Sequence, residues 1–234
     1  MADRLVIFDV DGTLCDTCEI DDVGFCAVAA EMLGVPIPPS SWKAAPEITD
    51  AGILAWLWDR HLGRPPARRE VDAFVTGFEA VLVRELQSTS GRFGEITGAA
   101  RLLGRLAETG WDVAFATGGW GRTARLKLRA AGLPVEPLLA SSDDSQHRAE
   151  IFRLAADRAA ARGAAPHERS VLVGDGVWDV RVAAQLGWPL LGVGQGVKAN
   201  RLREEGATAV VPDFRDTEAL LDLLLACGVP RLPA

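Results

Sequence analysis

The sequence predicts an α/β fold, a doubly wound parallel sheet carrying a small all-helical second domain, and three observations carry that prediction. Short, wholly apolar runs recur along the chain, helical periodicities separate them, and one long stretch near the start holds helices with no strand between them. Runs without polar alternation that stop at Gly, Asp or Ser read as strands buried on both faces, which is the condition of a parallel sheet covered by helices. Regular alternation of strand and helix then implies right-handed crossovers.

Leu5–Val10 is the first such run, followed by Trp111–Ala116, Val135–Ala140, Ser170–Gly174, Pro189–Val193 and Ala209–Val211. Thr97–Gly110 sets Ala99, Leu102, Leu103 and Leu106 on one helical face, with Thr97 as N-cap and Gly110 as terminator. Ile151, Leu154 and Ala155 repeat the spacing further on. Between about residues 17 and 93 three helices are expected, Ile20–Leu33, Pro46–Leu62 and Ala67–Gln87, punctuated by Pro36, Pro38, Pro39 and the Pro65–Pro66 pair. The boundaries that follow are a core of 1–16 and 94–234 with an insert of 17–93. Two crossings, Cys15–Cys18 and Ser88–Glu95, would act as hinges. Ligands of open α/β sheets bind at the carboxyl ends of the strands, so an insert leaving the first strand there overhangs the site as a lid.

The 234 residues are 48% hydrophobic and 24% charged with a net charge of −7, the balance of an ordinary soluble globular protein. An acidic chain without a Lys/Arg-dense run repels nucleic-acid polymers and anionic membranes, so neither is an expected partner. No segment reaches the roughly 20 apolar residues of a membrane span, and the first ten residues carry Asp3 and Asp9 where a signal peptide would be apolar. Cys15, Cys18, Cys26 and Cys227 lack the companions of a zinc site and read as free thiols of a reducing cytoplasm. A monomer or homodimer is expected.

Three segments carry chemistry. Asp9-Val10-Asp11-Gly12-Thr13-Leu14 stands where the first apolar run ends, and alternation in an extended chain puts Asp9 and Asp11 on one side. Apposed carboxylates repel and need a cation, hydrogen bonds or a shared proton, so the pair suits metal binding with nucleophilic and acid–base work. Gly12 permits a sharp turn that would bring its amide to an anion. A calcium loop is disfavoured because its twelfth position is Ile20. Thr117-Gly118-Gly119, between a strand and a helix, offers a hydroxyl and backbone donors to a phosphate, though it is also an ordinary turn. Asp175 and Asp179 in Gly174-Asp175-Gly176-Val177-Trp178-Asp179 bring further carboxylates to the same rim; helix capping is their alternative role.

Together these segments resemble the motifs of the haloacid-dehalogenase superfamily, in its phosphoglycolate-phosphatase-like branch, in order and each after a strand. The resemblance covers nearly the whole chain. It implies a Rossmann-like core with a helical cap between the first and second motifs, and a Mg2+-dependent phosphatase acting on a small-molecule phosphate ester. Asp9 would attack phosphorus, Asp11 would serve as general acid and base, and Thr117 with the Gly118 amide would hold phosphoryl oxygens. Mg2+ would be bound by Asp9, Asp175 and the Asp11 carbonyl, with Asp179 close by. The sequence departs from the pattern at the third motif, normally a lysine. Only Lys43, Lys127 and Lys198 exist, and none lies between the third strand and Ile151. Arg148 is the expected substitute, since an arginine keeps the charge and grips two oxygens at once.

Asp11 and Asp175 favour phosphoryl transfer over dehalogenation. A sugar-phosphate mutase, a phosphonate hydrolase using Lys43 as its Schiff-base lysine, and a catalytically silent module are the alternatives. Trp42, Lys43, Trp56, Trp58, Arg60 and His61 are candidates for the underside of the cap, although aromatic residues at helical spacing are more often core.

Overall fold

Each apolar run forms a strand of one parallel sheet: β1 (Arg4–Phe8), β2 (Trp111–Ala116), β3 (Leu138–Ala140), β4 (Arg169–Gly174), β5 (Leu190–Val193) and β6 (Ala209–Val211). The computed structural model describes residues 3–88, 93–135, 138–163 and 166–233. The sheet order is β3-β2-β1-β4-β5-β6, the doubly wound Rossmann-like arrangement. Arg4 pairs with both Trp111 and Arg169, so Phe8 ends level with Phe115 on one side and Val173 on the other. Chain direction across the sheet reverses at β1, and the crevice beyond the tips of β1 and β4 is where such sheets take ligands.

The helices of the core are α4 (Ala99–Glu108), α5 (Gly121–Ala130), α6 (Arg148–Gly163), α7 (Val177–Leu186), α8 (Gly196–Glu204) and α9 (Thr217–Ala226). Successive residues of β1 serve opposite layers, which is why the strand reads as an unbroken apolar run. Val6 and Phe8 pack with Leu102, Leu106, Leu220 and Leu224 of α4 and α9. Leu5 and Ile7 pack with Ile151, Phe152, Val180 and Leu202 of α6, α7 and α8.

Helix α4 starts later than expected. Its N-cap is Gly98 at φ 88°, not Thr97, because a Cβ at 98 would collide with the Phe214 carbonyl. Thr97 instead offers its carbonyl to the Phe214 N–H at 2.9 Å. Strand β3 is shorter than Val135–Ala140, and positions 136 and 137 of that run lie outside the described residues.

The insert is helical: α1 (Cys18–Leu33), a 3-10 turn at Ser41–Ala44, α2 (Asp50–Leu62) and α3 (Arg68–Ser88). Helix α2 begins four residues after Pro46, where the Thr49 side chain accepts the Gly52 N–H at 3.1 Å and so caps it. The insert has its own core, with Phe25, Leu54, Leu57, Trp58, Phe74 and Phe78 in one cluster and the Phe25 and Phe74 rings 4.7 Å apart. Trp120 belongs to that cluster, and Leu126 and Ala130 pack against it, so α5 is the seat on which the insert rests. The two crossings are tied to each other: the Asp16 N–H donates to the Gly94 carbonyl at 2.9 Å and the Ile96 N–H to the Leu14 carbonyl at 2.8 Å. Of the second crossing, positions 89–92 lie outside the described residues. Among the described residues no helix is long and apolar enough to cross a membrane, and the four cysteines are free thiols, three of them buried.

Candidate active site

Asp9 stands one residue beyond β1, and its N–H donates to the Val173 carbonyl at 2.9 Å, fixing the loop to the tip of β4. The carboxylate is 3% exposed. Its Oδ2 accepts the Thr13 hydroxyl at 3.1 Å and its Oδ1 accepts Arg148 Nη2 at 2.8 Å. Gly12 makes the following turn at φ 76°, and a side chain there would collide with the Asp175 carboxylate, so the glycine lets two loops meet. The Gly12 N–H itself donates to the Cys15 carbonyl at 2.7 Å. The expected contact of that amide with an anion is therefore corrected, because the turn has already committed the donor.

Arg148 is the first residue of α6 and is buried, not solvated. Its Nε and Nη2 both reach Asp179 Oδ1, at 2.9 and 2.8 Å, while Nη2 also holds Asp9. The guanidinium is further enclosed by the rings of Phe152 and Trp178, 5.6 and 6.0 Å from their centroids. Asp179 is in the first turn of α7, and its second oxygen accepts the Gly176 N–H at 2.9 Å. It therefore caps its helix and orients Arg148 at once. Asp175, one residue past β4, forms an ion pair with Lys198 of α8.

Oxygens of Asp9, Asp175 and Asp179 lie within 4.8 Å of one another, all three residues buried. Burial drives the Asp9 carboxyl well above the carboxylate range; Arg148 opposes that, and Asp179, Asp175 and Asp11 add to it. Burial likewise pushes Asp175 up to about 6 against the pull of Lys198. Three buried carboxylates facing two cations leave a negative excess, and an all-oxygen donor set suits a hard divalent ion such as Mg2+. The Asp11 carboxylate is outside this group. Its Oδ1 accepts the Thr17 hydroxyl at 2.5 Å and its Oδ2 accepts Lys127 Nζ at 2.7 Å. With both side-chain oxygens so engaged, the expected cation contact of Asp11 is the one through its carbonyl.

Thr117 follows β2, is buried, and anchors the loop by accepting the Gly119 N–H on its hydroxyl oxygen at 3.0 Å. The insert reaches the same loop. The Asp50 N–H donates to the Gly118 carbonyl at 2.7 Å, the Trp120 N–H to Asp50 Oδ2 at 3.1 Å, and the Thr49 hydroxyl to the Gln146 carbonyl at 2.7 Å. Between insert and core lies a cavity of about 400 Å³ that Asp9, Asp11, Thr117, Gly118, Arg148 and Asp175 line from below.

Of the candidates for its upper wall, Trp42 and Lys43 are present, with the Trp42 ring edge-on to Trp178 at 5.8 Å. Trp58 is instead in the core of the insert, Arg60 covers Trp56 at 5.5 Å away from the cavity, and His61 is exposed. Residues the sequence left unassigned also border the cavity: Asp21, Asp50 and Lys198. Lys127, passed over because it lies outside the third-motif region, is fully buried and bonded to Asp11. Its signal was legible, since it falls on the helical face that also carries Thr123, Ala124 and Leu128.

A family model of haloacid dehalogenase-like hydrolases matches residues 4–187, and the chain belongs to that family. No curated protein sequence matches it. Among solved structures, a hydrolase from Pseudomonas syringae superposes with a TM-score of 0.70 at 22% identity, over 93% of this chain and 97% of the other. A β-phosphoglucomutase, so described from Bacteroides vulgatus with its assignment provisional, gives 0.69 at 18% identity over 95% and 89%. CbbY from Rhodobacter sphaeroides, solved in complex with phosphate, gives 0.68 at 21% identity over 92% and 96%. Likeness at these identities is likeness of fold.

Proposed function

We propose that the protein is a Mg2+-dependent phosphatase of small phosphorylated metabolites that works through an aspartyl-phosphate on Asp9. The observation that carries the reading is the buried Asp9 carboxylate at the tip of β1, gripped by Arg148 and grouped with Asp175 and Asp179 beneath a cavity of metabolite size. In the first half-reaction an Asp9 oxygen bonds to phosphorus as the ester P–O bond breaks, and Asp11 gives its proton to the departing oxygen. In the second, water bonds to phosphorus, the acyl-phosphate bond breaks, Asp11 takes the water's proton, and Asp9 and phosphate are released. Arg148 neutralises charge at Asp9 and the phosphoryl group, and Thr117 with the Gly118 amide holds phosphoryl oxygens. Asp9, Asp175 and the Asp11 carbonyl would hold the cation, with Asp179 adjacent, and its chemistry is to screen the phosphoryl oxygens from the attacking carboxylate. In support, CbbY has been solved with phosphate and, as a variant, with xylulose-1,5-bisphosphate. The test is Mg2+-dependent phosphate release across a panel of phosphorylated metabolites. Isomer formation without phosphate release would make the protein a mutase, and metal binding without any turnover would make it a silent module.

Cation binding should depend on pH. A carboxyl whose pKa rises on folding favours the fold while protonated, so in the metal-free protein the Asp175 contribution is present near pH 4 and is lost as pH rises through about 6. A bound cation reverses that loss but must displace the proton. Mg2+ is therefore expected to raise the melting temperature at neutral pH and to have little effect a unit or more below 6. Equal shifts at both, followed by thermal denaturation, would contradict the ligand set.

A further inference from the structure

We propose that Lys127 is a positioning residue for leaving-group protonation, one that ties the acid Asp11 to the docked helical insert; this rests on the reading of Asp11 given above. Lys127 is 0% exposed, on the buried face of α5. Its ammonium bridges two elements of the molecule: Nζ is 2.7 Å from Asp11 Oδ2 in the core and 2.5 Å from Asp21 Oδ1 on α1 of the insert.

Stability alone gives no reason for this arrangement, because a buried ion pair replaced by apolar residues of similar volume is often neutral or more stable. What the lysine fixes is orientation. With Thr17 at Oδ1 and Lys127 on Oδ2, the Asp11 carboxyl is left one pose, on the wall of the cavity; the ammonium keeps Oδ2 an acceptor, so the proton that Asp11 gives is carried on Oδ1, where the Thr17 hydroxyl can turn to accept it. Both pins come from the junction with the insert: Thr17 from the first crossing and Lys127 through Asp21. An insert lifted off α5 would take Asp21 away and leave Lys127 and Asp11 a loose pair, so the acid is aligned only when the site is covered. Asp50, whose carboxylate accepts the Trp120 N–H, fastens α2 to the start of the same α5.

A positioning role is separable from a structural one by the leaving group. An alkoxide must be protonated as it departs, whereas p-nitrophenolate leaves without a proton. Values of kcat/KM report the steps through the first irreversible one, here the departure of the leaving group, so the later hydrolysis of the intermediate does not confuse the comparison. The experiment measures kcat/KM of the Mg2+-loaded enzyme for an alkyl phosphomonoester and for p-nitrophenyl phosphate, with Asp11→Asn as reference. Lys127→Met is expected to lose about 100-fold on the alkyl ester, within the range of general-acid effects, and at least tenfold less on the aryl ester. Asp21→Asn, which keeps the volume and removes the insert's end of the bridge, is expected to show a smaller loss with the same imbalance. If Lys127→Met fails to fold by thermal melting, Asp21→Asn decides alone. Parallel losses on both esters, or none, with Asp11→Asn selective, overturn the role of Lys127 and leave the proposed function standing. An unselective Asp11→Asn removes Asp11 as the acid, and the role of Lys127 with it.

Discussion

Asp9→Asn is expected to abolish phosphate release, by at least the order of 10⁴-fold that follows removal of a covalent nucleophile, while the fold is kept. The amide is isosteric: its oxygen can still accept from Arg148, and its nitrogen can donate to the Thr13 hydroxyl, which turns from donor to acceptor. Burial disfavours the ionised carboxylate at this position, so the neutral side chain relieves strain that the native residue carries. The metal-free variant should therefore melt no lower than the native protein, yet respond less to Mg2+. Steady-state turnover and thermal denaturation with and without Mg2+ check both halves. Turnover within tenfold of native would remove Asp9 from the chemistry.

Arg148→Ala has the second largest expected effect, and unlike the first it acts on activity and stability together. Activity should fall by about 100-fold, the scale of a lost electrostatic contact in the transition state. Stability should fall by about 3–5 kcal/mol, because Asp9 and Asp179 then lose the guanidinium that joins them and remain buried. Arg148→Lys restores the charge but not the fork that spans two carboxylates, so it should recover only part of either. Kinetics paired with denaturant unfolding measure the two losses. Near-native kcat/KM in the alanine variant would move the third-motif role to another residue.

The layering of the core was legible because burial on both faces leaves a plain signature: Leu5 and Ile7 serve one layer, Val6 and Phe8 the other, and none is polar. The tips of β1, β2 and β4 were legible for the same reason, since Asp9, Thr117 and Asp175 each interrupt an apolar run. Arg148 was found by elimination, and its contacts could not be read from spacing, since Asp9 and Asp179 lie 139 and 31 positions away. Distance along the chain also hid the partners of Lys127, though not its place on a buried helical face: Asp11 and Asp21 are over a hundred positions removed. Gly12 shows the opposite limit. Its positive φ was foreseeable, but which partner its N–H takes depends on how the next three residues close the turn. Trp58 read equally as cavity wall or insert core, and only packing against Phe74, 6.4 Å between rings, decides for core.

The central claim is that Asp9 carries the phosphoryl group covalently between the two half-reactions. Asp11→Asn turning over p-nitrophenyl phosphate tests it most directly, since the leaving group departs unaided while hydrolysis of the intermediate is slowed. Quenched in acid and digested, that variant should yield the peptide containing Asp9 heavier by one phosphoryl group, and Asp9→Asn introduced alongside should abolish the species. Steady turnover with every peptide at its unmodified mass, or with the phosphoryl group on a residue other than Asp9, would contradict the account.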